Sequence, residues 1–142
     1  MMSNIRSKDT KPELVVRRFL HANGFRYRLH AGALPGKPDI VLPKYHAAIF
    51  VHGCFWHRHQ NCRLAYTPKS RQKFWLDKFQ TTIARDKIAV TKLFNSGWRV
   101  MTIWECALRN NQLRDLGLDE IVEWIKSDWP RNEFPVSARL ST

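Results

Sequence analysis

Asp39-Ile-Val-Leu-Pro-Lys-Tyr-His-Ala-Ala-Ile-Phe-Val-His-Gly-Cys-Phe-Trp-His-Arg-His-Gln-Asn-Cys62 is the stretch that decides the fold. Two short apolar runs, residues 39–42 and 47–51, flank a turn at 43–46 and read as neighbouring strands, the second more buried than the first. The second strand runs directly into a loop rich in histidine and cysteine, residues 52–68. A strand that delivers its end into such a loop places chemistry at the edge of a sheet.

Working outward, residues 11–23 read as a helix. Thr10 is its expected N-cap, Pro12 lies in its first turn, Glu13 stands at the capping-box position and Gly24 stops it. Residues 25–29 alternate apolar and basic side chains, as a half-buried strand does, and 34–38 form a turn. Beyond the loop, a long helix is expected over 70–95, with Phe79, Ile83, Val90 and Leu93 on its apolar stripe and Gly97 after its end. Residues 98–104 read as a third apolar strand and 118–127 as a last short helix. The segment from Pro130 holds two prolines and reads as a loose appendage over about 130–142. The order of elements predicts an α/β fold, a mixed central sheet flanked by helices, in one domain spanning 1–142.

Charge narrows the function. The 142 residues carry a net charge of +12. Residues 1–110 hold 20 of the 24 basic residues and six of the 12 acidic ones, a net +14, while the remainder is weakly acidic. Such a field draws in polyanions and releases counterions from a phosphate backbone, so nucleic acid is the expected partner. A membrane partner fits less well: no apolar run approaches the roughly 18 residues of a span, and no clean basic amphipathic helix is visible. No secretory leader is read at the N-terminus, which points to the cytoplasm. The six acids of the basic part are Asp9, Glu13, Asp39, Asp77, Asp86 and Glu105. A carboxylate on a phosphate-binding face repels its ligand, and metal binding is one of the few reasons to keep it there.

Three constellations carry chemistry. Cys54, His59 and Cys62 offer three zinc ligands from one loop, and Cys106, the remaining cysteine, offers the fourth, completing a closed structural site. The alternative is separate buried thiols and solvated histidines. Phe55 and Trp56, with Trp75 at the start of the long helix, suit insertion between base pairs; packing around the loop is the other reading. Pro38-Asp39, followed after ten residues by Phe50-Val51-His52, faintly echoes a nuclease pattern that holds magnesium against the scissile phosphate. Asp86 falls on the apolar stripe of the long helix and needs a partner there, a histidine or a cation. Glu13 is open between a capping and an active-site role.

These residues together resemble the Vsr family, the very-short-patch-repair DNA mismatch endonucleases. The resemblance covers about residues 2–110. It rests on Ile5-Arg-Ser-Lys-Asp-Thr-Lys-Pro-Glu13, Leu34-Pro-Gly-Lys-Pro-Asp39, Phe50-Val-His-Gly-Cys-Phe-Trp-His57, Phe74-Trp75, Arg85-Asp86, Gly97-Trp-Arg-Val100 and Trp104-Glu-Cys-Ala-Leu108. It implies a restriction-endonuclease-like core and a substrate of duplex DNA with a T:G mismatch left by 5-methylcytosine deamination. The expected product is a nick 5′ of the T. The resemblance assigns magnesium to Asp39 and the Val51 carbonyl, and catalysis to His57 oriented by Asp86, with His52 and Glu13 nearby. It assigns zinc to Cys54, His59, Cys62 and Cys106, the aromatic wedge to Phe55, Trp56 and Trp75, base reading to Lys78, and a minor-groove contact to Met2. A monomer acting in concert with a cytosine-5 DNA methyltransferase and a repair polymerase, on the nucleoid, is implied as well. Two other readings are a zinc-stabilised DNA-binding module without catalysis and a double-strand restriction-type endonuclease.

Overall fold

The computed structural model describes residues 10–136. Helix α1 spans Lys11–Ala22, begun by Thr10, whose side chain accepts from the Glu13 N–H, and followed by Gly24 at φ +82°. Strand β1 is only Arg28–Leu29, shorter than the alternation suggested. The reason is that Phe25, which opens the predicted strand, instead packs into the core, its ring 5.8 Å from that of Tyr45. Strands β2 (Ile40–Leu42) and β3 (Ala47–His52) follow, joined by a 3₁₀ turn at Pro43–Tyr45. A single helical turn, α2 (Cys54–His57), interrupts the expected loop. Helix α3 runs Gln72–Asn95 and β4 runs Arg99–Trp104.

The C-terminal part departs most from expectation. A short helix, α4 (Glu105–Arg109), precedes a long one, α5 (Asn111–Lys126), which starts seven residues before the predicted 118. The Asn110 side chain caps it, accepting from the N–H groups of Gln112 and Leu113 at 2.9 and 3.0 Å. The segment from Pro130 is not a loose appendage as far as the described residues reach: Arg131–Phe134 form strand β5. The strand is held by parallel pairing to β4 and by Gly117 in α5, where a Cβ would lie 2.9 Å from the Phe134 ring. Residues 137–142 of that segment lie outside the described residues.

The sheet order is β1-β2-β3-β4-β5. The first two pairings are antiparallel and the last two parallel, so the expected mixed sheet is present. Strands β3 and β4 lie at the centre with apolar residues on both faces, as buried parallel strands do. Alternation along β3 sorts the side chains. Ala47 and Ile49 join Leu20 of α1 and Ile121 of α5 in one core, while Ala48 and Phe50 join Leu93 of α3 in another. Each fully buried Leu or Ile contributes about 1.5–3 kcal/mol to holding these layers together. Arg99 closes the far end of the sheet, donating to the carbonyls of Tyr45, Trp124, Ile125 and Trp129. Among the described residues, no helix is long and apolar enough to cross a membrane.

Candidate active site

The alternation that sorts the core also sets the site. β3 ends with Val51 packed on the α1/α5 side, and the His52 ring lies 5.3 Å from that of Phe50, two residues earlier on the strand. Register places Val51 beside Ile103 and His52 beside Trp104. Asp39, at the start of β2, reaches across the sheet and its Oδ2 accepts the Val51 N–H at 2.7 Å. Burial pushes the Asp39 carboxyl up to about 6, and the nearby Glu13 adds to the rise; the Val51 N–H, His30 and His57 oppose it. A carboxylate held against its preference for water in this way has affinity for a cation to spare.

Glu13 is buried, and its Oε2 meets His30 Nε2 at 2.8 Å and Arg17 Nη1 at 3.1 Å. The Thr10 side chain accepts the Glu13 backbone N–H, one half of a capping box, while the Glu13 carboxylate turns to His30 and Arg17. His30 and Arg17 were not singled out by sequence, and a lone histidine after a two-residue strand gave no signal.

His52 and His57 stack face to face, ring centroids 3.7 Å apart and planes within 4°. Asp86 on α3 accepts from His57 Nδ1 at 2.7 Å. The histidine expected as partner for Asp86 is therefore His57. An ionised Asp86 can only accept, so Nδ1 carries the proton and Nε2 is the nitrogen left for chemistry. Burial, together with the neighbouring His57 and Arg131, holds His52 well below the usual histidine range. His52, His57 and Asp86 lie close enough to share an ion. An imidazole binds a metal in its own ring plane, however, and two parallel rings cannot both point at one ion. The stack suits a proton-handling pair instead.

The second group is of a different kind. Cys54, His59, Cys62 and Cys106 bring their ligand atoms within 4.8 Å of one another and could hold a metal ion. His59 Nδ1 lies 3.7 Å from Cys54 Sγ and 3.5 Å from Cys106 Sγ. A tetrahedral ion with bonds of about 2.3 Å to sulfur and 2.0 Å to nitrogen separates those atoms by about 3.5 Å, so the cage has the right size. The contact with Cys54, then that with His59, lowers the Cys106 thiol against the effect of burial, and the same contact with Cys106, then burial, pushes the Cys54 thiol up. A cation in the cage would remove that conflict, since coordinated thiols give up their protons. His59 Nε2 is buried without a hydrogen-bond partner, which leaves Nδ1 as the nitrogen turned to the sulfurs.

The aromatic residues singled out by sequence meet between α2 and α3. Phe55 lies 5.2 Å from Trp56, 5.5 Å from Trp75 and 5.3 Å from Phe79, and Trp56 lies 5.8 Å from Trp75. The cluster is only half-buried, and Tyr66, 63% exposed, extends it from the loop side. Arg58 pins the cluster from below. Its guanidinium lies 3.7 Å from the Phe79 ring centre and donates to the carbonyls of Phe55, Ala65 and Tyr66. Neither Tyr66 nor Arg58 was found by sequence. Lys78 stands exposed on α3, and Met2 lies outside the described residues.

Comparison with known proteins agrees with this geometry. A family model described as DNA mismatch endonuclease Vsr matches residues 1–64. The chain is 47% identical over 117 residues to the type II nicking enzyme V.XorIIP of Xanthomonas oryzae pv. oryzae, with 82% of each chain covered. It is 44% identical over 126 residues to the type II nicking enzyme V.NmeAIP of Neisseria meningitidis, with 89% of each covered. It is 41% identical over 126 residues to the DNA mismatch endonuclease Vsr of Escherichia coli, covering 87% of this chain and 80% of that one.

Proposed function

The chain belongs to the Vsr family of DNA mismatch endonucleases and is a DNA endonuclease, and from that premise we propose that it nicks duplex DNA 5′ of the T in a T:G mismatch. The observation that carries this reading is the convergence at one end of β3 of the Asp39 carboxylate, the Val51 backbone and the His57–Asp86 pair. A restriction-endonuclease-like core is the fold we assign with it, supported by the mixed sheet that brings β2 and β3 to that edge.

Asp39 and the Val51 carbonyl would hold magnesium. When bound, magnesium lowers the pKa of a water and offsets negative charge on the leaving oxygen. Hydrolysis adds water oxygen to the phosphorus and breaks the bond to O3′, leaving a 5′-phosphate and a 3′-hydroxyl. His57 Nε2 is the atom available to exchange a proton with the water or the phosphate. Asp86 fixes its tautomer and stabilises the imidazolium. His52 stacks on His57 and, kept neutral by burial, adds no competing charge. Glu13 lies close enough to Asp39 to act on its charge, and would hold water of the magnesium shell.

Cys54, His59, Cys62 and Cys106 fit zinc, which would order the loop between β3 and α3 and take no part in hydrolysis. Phe55, Trp56 and Trp75 form the wedge that opens the mismatched step, with Lys78 reading a base edge and Met2 reaching the minor groove. The enzyme works as a monomer on the nucleoid in the cytoplasm. Its lesion is created downstream of a cytosine-5 DNA methyltransferase, and its 3′-hydroxyl is the primer a repair polymerase extends.

The test is a magnesium-dependent nicking assay on end-labelled duplexes carrying one T:G pair in varied contexts, with T:A controls. One nick 5′ of the T, in one context and absent from the control, is the expected result. Cuts in both strands of matched palindromes would favour a restriction-type enzyme, and tight binding without cleavage would favour a DNA-binding module.

A further inference from the structure

Trp104 ends β4 between the two histidine clusters. Its ring stacks on His59 with centroids 4.3 Å apart and planes within 13°, and it meets His52 in a T-shape at 5.3 Å. His52 in turn lies flat on His57. A ring stack alone leaves the indole free to slide in its own plane. That freedom is removed by Glu133 on β5, whose Oε2 accepts the indole N–H at 2.6 Å. Glu133 is itself tied down: its N–H donates to the Asn132 side chain, which donates to Glu120 of α5. A buried indole N–H needs an acceptor, but any water or carbonyl would satisfy it. An acceptor carried by β5 does more, because that strand is itself paired to β4 and tied through Asn132 to α5, and so fixes where the ring sits.

We propose that Trp104, anchored by Glu133, is a positioning residue that sets the place of the His52–His57 pair. Residues 131–134 would then belong to the working site although none of them touches the reacting atoms. The inference rests on the catalytic reading of His57, and its test separates the two.

The experiment compares Glu133→Ala and Glu133→Gln in the full chain by single-turnover nicking, DNA affinity and the ring resonances of His57. Glu133→Ala should slow the nicking step about tenfold, the scale of a modest misplacement, while DNA affinity stays within about twofold. The His57 ring resonances should shift in Glu133→Ala. Glu133→Gln, which keeps an oxygen acceptor, should restore both rate and resonances. Trp104→Phe, which keeps a ring but loses the N–H, should reproduce the Glu133→Ala result if that variant folds poorly. A folded Glu133→Ala with native rate and native His57 resonances overturns the proposal. So does a parallel loss of rate, affinity and melting temperature that Gln does not rescue. Full nicking by His57→Ala would sink the catalytic reading of the pair alone, and the ring resonances would still decide whether Trp104 sets its position.

Discussion

His57 and His59 are two residues apart, yet one lies in an open site and the other in a closed one. His57 is partly exposed, gives Nδ1 to a carboxylate and keeps Nε2 available. His59 is buried, turns Nδ1 to two thiols and has its other nitrogen sealed off. The residue between them makes the difference. Arg58 adopts φ +56°, which ends α2 after His57 and reverses the direction of the chain. Histidine chemistry here is assigned by backbone direction, and neither residue type nor spacing along the sequence distinguishes the two.

The largest effect should come from opening the closed cluster. Cys106→Ala, or removal of its metal by a chelator, is expected to cost roughly 5 kcal/mol or more, a melting shift on the order of 15 °C. Scanning calorimetry with and without added zinc checks this, and native melting without metal would erase the distinction between the clusters. Next, His57→Ala should leave melting nearly unchanged but slow nicking by about 10³-fold, within the usual range for a lost acid–base group. The same substitution at His59 should do the reverse, with instability dominating.

A third test concerns Asp39. Its carboxyl is raised from 3.8 to about 6 in the fold. An acid with a raised folded pKa opposes folding when ionised, so the strain is absent below pH 4, grows as pH rises from 4 to 6 and is complete above 6. In metal-free protein, Asp39→Asn should therefore melt higher than the native chain at pH 7.5, by at most about 3 kcal/mol. The difference should vanish near pH 4, and a pH-independent difference would refute the strained carboxylate. The smallest effect is expected at the aromatic cluster of Phe55, Trp56 and Trp75. Trp56→Ala should weaken binding to mismatched duplex by about 1–3 kcal/mol, the value of a lost base stack, with matched DNA affected less. Equal affinity of Trp56→Ala and the native chain for mismatched duplex would return Trp56 to a packing role.

Much of the site was legible because its chemistry is written in residue types: four soft ligands, an isolated acid beside a proline, an acid on an apolar stripe. The inner strands were legible because buried strands are continuous apolar runs. The C-terminal part was not. Gly117 reads as a helix breaker, yet it lies inside α5, where the missing side chain admits the ring of Phe134. Leu116 beside it is 60% exposed and spoils the helical period. β5, Arg-Asn-Glu-Phe, carries almost no apolar signal, because its place comes from β4 and α5. Arg58 was equally silent, since its partners are carbonyls and ring faces that only the fold assembles.

The parallel pairing of β3 with β4 also fixes a timetable. Cys106 comes 47 residues after His59, and β4 follows the whole of α3. A growing polypeptide that has emerged through Asn95 already holds Asp39, His57 and Asp86. It lacks the strand that supports β3 and the cysteine that closes the cage. Since chains fold from the N-terminal end as they are made, a copy synthesised only as far as Asn95 carries the residues of the site without the strand and the cage that hold them in place.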